Sequence, residues 1–254
     1  MLSQKELKQG MVSKFDRPKL AEPLTYRVIF KKTGNLQFFS HLDLQRTWQR
    51  VLVRASIPMW YTQGFNPHSK IVFGVPLPVG SEGLEEMVDL RIDRAITCEE
   101  MKNQLNTVLT DEMQVSEVYI PQTSFMDIAW GAYRITLQTG KDARSLAESI
   151  NAYFNEDTTP IMMLKRSKSG DKEVDIRPMV HELKASADVN GVIHMSAILS
   201  AGNTQNLNPE YIVKALRDRF GILHEDSDPE TEWYTILRIG FYSEEGIKTG
   251  KWFR

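Results

Sequence analysis

One cysteine, Cys98, stands among 254 residues. A lone thiol excludes an internal disulfide, and it excludes the thiolate clusters that a zinc ribbon or an iron–sulfur centre requires. Scarcity of cysteine fits a reducing compartment, so a cytoplasmic protein is expected. Long apolar runs are lacking as well. No stretch reaches about 18 apolar residues, and the opening MLSQKELKQGMVSKF has no apolar core of signal-peptide length. No membrane partner is therefore expected. There is no P-loop, no GxGxxG after a strand and no GxSxG elbow. GVPLPVGSEG contains glycines, but its prolines remove the N–H donors that a phosphate cradle needs. The histidines are His41, His68, His181, His194 and His224, and none pair at HxH or HxxxH spacing. The sequence thus nominates no metal site.

Negative charge is also lacking, but only locally. The net charge is −2, yet Leu24 to Gly80 holds seven Lys or Arg residues and one acid, Asp43. Ser81 to Asp127 reverses this, with eleven acids and three bases. Such blocks either let one surface attract an anion or complement each other across a packed interface. Hydrophobic content of 41% with 25% charged residues is ordinary for a globular protein. The length allows one large domain or two of roughly a hundred residues each.

The patterning favours two. Residues 1–23 are polar and end in Ala21-Glu22-Pro23, which reads as an extension. TYRVIF is a strand, KKTGN a turn, and Ser40 with Asp43 three residues later opens a helix over HLDLQRTWQRVLVRA. Leu44, Trp48, Val51, Leu52 and Ala55 give that helix one apolar face. IVFGV and EMVDLRI read as strands, CEEMKNQLNTVL as a helix behind Thr97, and MQVSEVYI as a closing strand. A second round begins with the strand AYRITLQ and a helix capped by Asp142. TPIMMLKR and KEVDI, around Ser169-Gly170-Asp171, then VIHMSAIL are strands. NPEYIVKALRDRF is a helix and WYTILRIGFY the closing strand. The expected class is α+β: two tandem ferredoxin-like units, 24–127 and 128–245, each an antiparallel sheet with helices on one face, then a tail at 246–254.

Several residues could carry chemistry. Arg46, Arg50 and Arg54 recur every four residues on the first helix, so their guanidinium forks line one stripe that can meet phosphates or simply face solvent. The loop Gln63-Gly64-Phe65-Asn66-Pro67-His68 joins a turn signature to an aromatic ring and an imidazole. His41 and His68 are candidate acid–base groups near neutral pH, and His194, in an apolar strand, is expected in the core. Lys165, Arg166, Lys168, Lys172 and Arg177 make a basic hairpin that also carries Asp175. Asp43 and Asp175 are the candidate catalytic carboxylates, although an Asp-x-Arg-Pro run also reads as an ion-paired helix start.

RVIFKKTGNLQFFSHLDLQRTWQRVLVRASIPMWYTQGFNPHSKIVFGVPLPVGSEG closely resembles the opening of the radical-SAM-associated (radical-SAM-linked) bacterial protein family, and KRSKSGDKEVDIRPMV is similar to its second block. The matching positions are Ser40, His41, Asp43, Gln63 to His68, Asp175 and Arg177. The resemblance implies an accessory or substrate-binding partner of a radical-SAM enzyme, and the Arg46, Arg50 and Arg54 stripe makes RNA the expected ligand. S-adenosylmethionine and the iron–sulfur cluster would belong to that partner, and this chain would bind no cofactor itself. Phe65, Trp60 and Tyr61 could then stack exposed bases. Two other readings stand beside it. One is an RNA-modifying or RNA-processing enzyme using Asp43 or Asp175 with a histidine. The other is an interaction protein in ribosome assembly.

Overall fold

A run of alternating and then continuously apolar residues builds the spine of the first unit. In the computed structural model, which describes residues 16–165, 170–224 and 226–254, β1 spans Lys19–Lys32. The polar segment read as an extension therefore contributes its last residues, from Lys19, to this strand. Residues 1–15, Arg166 and Lys168 lie outside the described residues. The chain divides into two compact units, residues 1–125 with Arg254, and residues 126–253.

In the first unit, β1 is followed by α1 (His41–Arg54), β2 (Ile71–Phe73), β3 (Ser81–Arg94), α2 (Cys98–Asn106) and β4 (Val115–Tyr119). β3 runs antiparallel to β1, with Tyr26 opposite Leu90 and Val28 opposite Val88. β2 takes the other side of β3, where Ile71 faces Leu90, and β4 takes the other side of β1, where Val28 faces Val118. The order is β4-β1-β3-β2, with every neighbour antiparallel. Tyr26, Val28 and Phe30 point to one face of β1, where Leu44, Trp48 and Leu52 of α1 and Met101 and Leu105 of α2 join them in one core. On the opposite face, Arg27 is fully buried. It is held there by Asp89 at 2.8 and 3.0 Å and by Thr123 Oγ1 at 2.9 Å, over the ring of Phe125. A buried guanidinium needs such pairing, because an uncompensated charge in the interior costs several kcal/mol, ~3–5 when one partner is removed.

The second unit comprises β5 (Trp130–Gln138), α3 (Ala143–Asn155), β6 (Met162–Lys165), β7 (Lys172–Asp175), β8 (Val180–Ala187), β9 (Ile193–Ser200), α4 (Glu210–Phe220), β10 (Trp233–Tyr242) and α5 (Glu244–Thr249). Its main sheet has the order β10-β5-β9-β8, again antiparallel throughout. Ile135, Ile150, Leu183, Met195, Leu216 and Ile236 are central to its core. β6 and β7, read from the sequence as strands of the unit, instead form a separate two-stranded hairpin. The edge of the main sheet is taken by β8, which the sequence pattern does not reveal. VHELKASA has only one fully buried side chain, Leu183, among charged and small ones. Its backbone is held partly by side chains of α3. Asn151 donates to the Ala185 carbonyl and accepts from the Ala185 N–H, both at 2.8 Å, and Asn155 donates to the Leu183 carbonyl at 2.9 Å. These amides substitute for a neighbouring strand at an edge that would otherwise present open backbone groups. The tail likewise contains α5, capped by Ser243, whose hydroxyl accepts from the Gly246 N–H at 2.9 Å. The architecture is thus mixed α+β with antiparallel sheets. Among the described residues, no helix is long and apolar enough to cross a membrane.

One half-buried pair in the second unit links this packing to pH. The Tyr234 hydroxyl donates to Glu210 Oε2 at 2.9 Å. Burial, helped by the neighbouring carboxylate, pushes the Tyr234 phenol up to about 12. The folded state holds that proton more tightly than the unfolded chain does. Its contribution to stability is therefore complete below the ordinary tyrosine value of about 10 and is lost as pH rises toward 12. Thermal unfolding followed between about pH 9 and 12 is expected to show a falling midpoint, with a shallower fall in Tyr234→Phe. An identical slope in the variant would remove this pair from the account.

Candidate functional site

Basic character is concentrated on α1, and the phase of that helix is set by its apolar residues. Leu44, Trp48, Val51 and Leu52 are buried. With about 3.6 residues per turn, this turns Arg46, Arg50 and Arg54 away from the sheet, and all three are exposed. Consecutive members are about 6 Å apart along the axis, from a rise of about 1.5 Å per residue. Among the described residues no carboxylate stands within ion-pair distance of any of the three. Leu42 and Val53 are exposed on the same outward side, at 51% and 66%. The result is an exposed basic stripe with apolar margins.

The start of α1 explains the signature residues around it. The Ser40 hydroxyl accepts from the Asp43 N–H at 3.2 Å, and Asp43 Oδ2 accepts from the Ser40 N–H at 3.3 Å and its hydroxyl at 2.6 Å. This is a complete capping box. The Ser40 hydroxyl bond, assisted by the charge of Arg46, holds the Asp43 carboxyl below the usual carboxylate range. An anion is therefore already built into the helix N-terminus, as its dipole favours. His41 sets the edge of its ring against Phe73, with centroids 5.2 Å apart. Ser40 and His41 meet buried Lys32 and Glu86 around a cavity of about 10 Å³, room for about one water.

The loop after α1 is a self-tied projection. Trp60 donates to the Arg91 carbonyl at 2.8 Å, Tyr61 bridges Ser69, and the Thr62 N–H donates to the His68 carbonyl at 3.0 Å. The Thr62 hydroxyl accepts from the His68 N–H at 3.1 Å. His68 Nδ1 lies 3.2 Å from the Asn66 carbonyl oxygen. The Thr62 hydroxyl stands nearer to the same nitrogen, at 3.1 Å, so Nδ1 is tied into the loop and Nε2 is the free edge of an exposed ring. Gly64 sits at φ +139°, a conformation that needs glycine, and beyond it Phe65 is fully exposed. Gln63, Asn66 and Pro67 are exposed too. His41 and His68 share no hydrogen bond and no ring contact.

In the second unit, the block around Asp175 is bound up in the fold. Asp175 Oδ1 accepts from the N–H groups of Ile161 at 2.9 Å and Arg177 at 3.0 Å. Arg177 donates to the carbonyls of Thr159 at 2.6 Å, Tyr153 at 3.0 Å and Phe154 at 3.3 Å, which ties the hairpin to the end of α3. Lys165 is exposed and faces Lys172 across the hairpin. His194 differs from its expected place in the core. It is exposed on β9, and its Nε2 lies 3.1 Å from Asp188 Oδ2 at the turn. The alternation of the strand, not its apolar average, decides which face a residue takes. Among the described residues no three His, Cys, Asp or Glu side chains gather as a metal shell.

These roles are measurable. Ser40→Ala is expected to cost about 1 kcal/mol through the lost cap. Asp175→Ala leaves two N–H groups without their acceptor and is expected to cost about 1–3 kcal/mol. Urea denaturation of each variant checks both. Wild-type stability in Asp175→Ala would free that carboxylate for another role.

A heme-bound variant of the DypB protein of Rhodococcus jostii RHA1 is similar over 90% of this chain and 96% of that one. The identity is 10% and the TM-score 0.21, too low to carry an argument. No curated protein matches. The family model described as "Uncharacterized protein conserved in bacteria (DUF2344)" matches residues 25–209, which include α1, the Gln63–His68 loop and the Asp175 block. The chain belongs to this family of conserved bacterial proteins.

Proposed function

We propose that the protein is an RNA-binding accessory or substrate-binding partner of a radical-SAM enzyme, and that it contacts single-stranded RNA through α1 and the loop that follows. The observation that carries the RNA part is the exposed Arg46, Arg50 and Arg54 stripe with no carboxylate in ion-pair range among the described residues. Guanidinium groups spaced along one line can each take a phosphate, and their positions are held by a helix packed on a sheet. Phe65 offers an aromatic face that every base can stack upon, without reading sequence. The exposed His68 ring adds one polar edge beside it. The radical-SAM association rests on the resemblance of the signature blocks. Under it, the cluster and S-adenosylmethionine reside on the partner, and this chain positions substrate.

We also read the two units as a tandem of ferredoxin-like folds. Support comes from the recurrence of strand, helix, two strands, helix and strand, with orders β4-β1-β3-β2 and β10-β5-β9-β8. The hairpin β6–β7 is then an insertion into the second unit. The reading as an enzyme using Asp43 or Asp175 is less favoured, since each carboxylate is engaged in backbone hydrogen bonds that define its local turn.

Fluorescence anisotropy with a labelled, mixed-sequence single-stranded RNA over a salt series tests the proposal. Arg46→Gln/Arg50→Gln/Arg54→Gln is expected to reduce the slope of log K against log salt by about 2, at about 0.7 for each phosphate that is no longer neutralised. Phe65→Ala is expected to weaken binding about tenfold or more, at about 1–3 kcal/mol per stacked base, with the slope unchanged. No binding at low salt, or an unchanged slope in the triple variant, contradicts the RNA reading. Recovery of a CxxxCxxC-bearing enzyme with the tagged chain from cells tests the association separately.

A further inference from the structure

The basic hairpin of the second unit has no part in the surface on α1, and its lysines Lys165 and Lys172 are set against each other. β6 and β7 pair in a ribbon of their own, and Lys165 lies directly opposite Lys172 on the rung farthest from the root at Asp175. Cβ atoms so placed are about 4.5–5.5 Å apart, and like charges directly opposite destabilise the strand pair. Both side chains are exposed, and among the described residues neither has an ion-pair partner. A single carboxylate in either place would relieve the repulsion. The ribbon instead has its carboxylates on the other face, because Glu173 and Asp175 alternate with Lys172 and Val174 along β7.

The pair stands on a firm base. Side chains alternate along each strand, so Lys165 and Lys172 continue the face that carries Met163 and Val174. Met163 is buried in the core of the unit, and Val174 packs against that core. Lys165 lines a narrow crevice with Asn206 and Tyr211. Asp175 and Arg177 fasten the root of the ribbon to Ile161 and to the end of α3. Arg177, which the sequence groups with the lysines, is therefore taken up by backbone carbonyls. Among the described residues, the lysine pair is what the hairpin offers to an anion.

Two ammonium groups held side by side suit one anion with several oxygens. A phosphate between them replaces the repulsion with charge-assisted hydrogen bonds. Both lysines are open to solvent, which suits a phosphate within a chain better than a small molecule that a pocket must surround. We infer that Lys165 and Lys172 together grip a backbone phosphate of RNA, as a second contact in the second unit. This rests on the proposal that the ligand is RNA and extends it to a surface that the α1 reading does not use.

Anisotropy of the full chain with the same labelled single-stranded RNA over a salt series tests it. Lys165→Gln/Lys172→Gln, with α1 unaltered, is expected to lower the slope of log K against log salt by about 0.7, the share of one phosphate. Lys172→Glu turns the like pair into an opposite one. Its melting temperature is expected to equal or exceed that of the wild type, while its RNA affinity falls. A merely structural role would move stability without moving the salt slope. An unchanged slope in the folded double variant, with RNA still bound by the wild type and weakened by Arg46→Gln/Arg50→Gln/Arg54→Gln, overturns the hairpin contact and leaves the one on α1. A slope lowered in the hairpin variant and unchanged in the α1 variant keeps the hairpin contact and removes the other. Should the double variant prove unfolded, RNA affinity unchanged in Lys172→Glu overturns the inference in its place. No RNA binding by the wild type at low salt overturns both.

Discussion

The packing of Trp48 against Phe30 sets the working face of the first unit. The indole is completely buried, with ring centroids 5.0 Å apart at an interplanar angle of 70°. An edge-to-face pair of this kind adds about 0.5–1.5 kcal/mol to the burial itself. It also fixes rotation, because α1 cannot turn about its axis without withdrawing Trp48 from the core. The indole N–H has no hydrogen-bond partner there, so burial of the rest of the ring outweighs that loss. Once Trp48 is fixed, the geometry of the helix leaves Arg46, Arg50 and Arg54 no direction but outward.

The acidic groups near these elements serve mostly local structure. Asp43 closes the cap of α1, Glu82 accepts from the Gly34 N–H at 2.6 Å, and Glu112 accepts from the Asn35 N–H at 3.1 Å. The side chain of Glu112 lies so close to Gly34 that an added Cβ would come within 2.3 Å of its oxygen. Gly34 is at φ +59°, so the turn requires glycine for both its backbone and its neighbour. Part of the acidic block that follows Ser81 therefore neutralises backbone donors and buried Arg27, while the arginines of α1 stay exposed without a carboxylate in ion-pair range among the described residues. Of the two ways to interpret the charge blocks, mutual complementation thus describes Arg27 and Asp89.

Much of this organisation is legible in residue order. The caps at Ser40, Thr97 and Asp142 are chemical, and the structure has all three. The phase of α1 follows from five apolar positions. β8 is not legible, because its edge is completed by the side chains of Asn151 and Asn155, whose meeting with Ala185 and Leu183 no local pattern encodes. The role of Asp175 has the same obscurity. The Asp-x-Arg-Pro run marks the start of a short helical turn at Arg177. Asp175 and Arg177, however, form no ion pair, and instead bind the backbone at Ile161, Tyr153 and Phe154, which tertiary packing supplies.

The central claim is that the outward face of α1, with the loop that carries Phe65, is the surface that meets nucleic acid. Ultraviolet crosslinking of the full chain to single-stranded RNA, followed by mass spectrometry of the attached peptides, tests it most directly. Crosslinks are expected at Phe65 and within His41–Arg54, and they should disappear when Arg46, Arg50 and Arg54 are replaced together. Crosslinks confined to residues 126–253, or none above a protein control without RNA affinity, would contradict it.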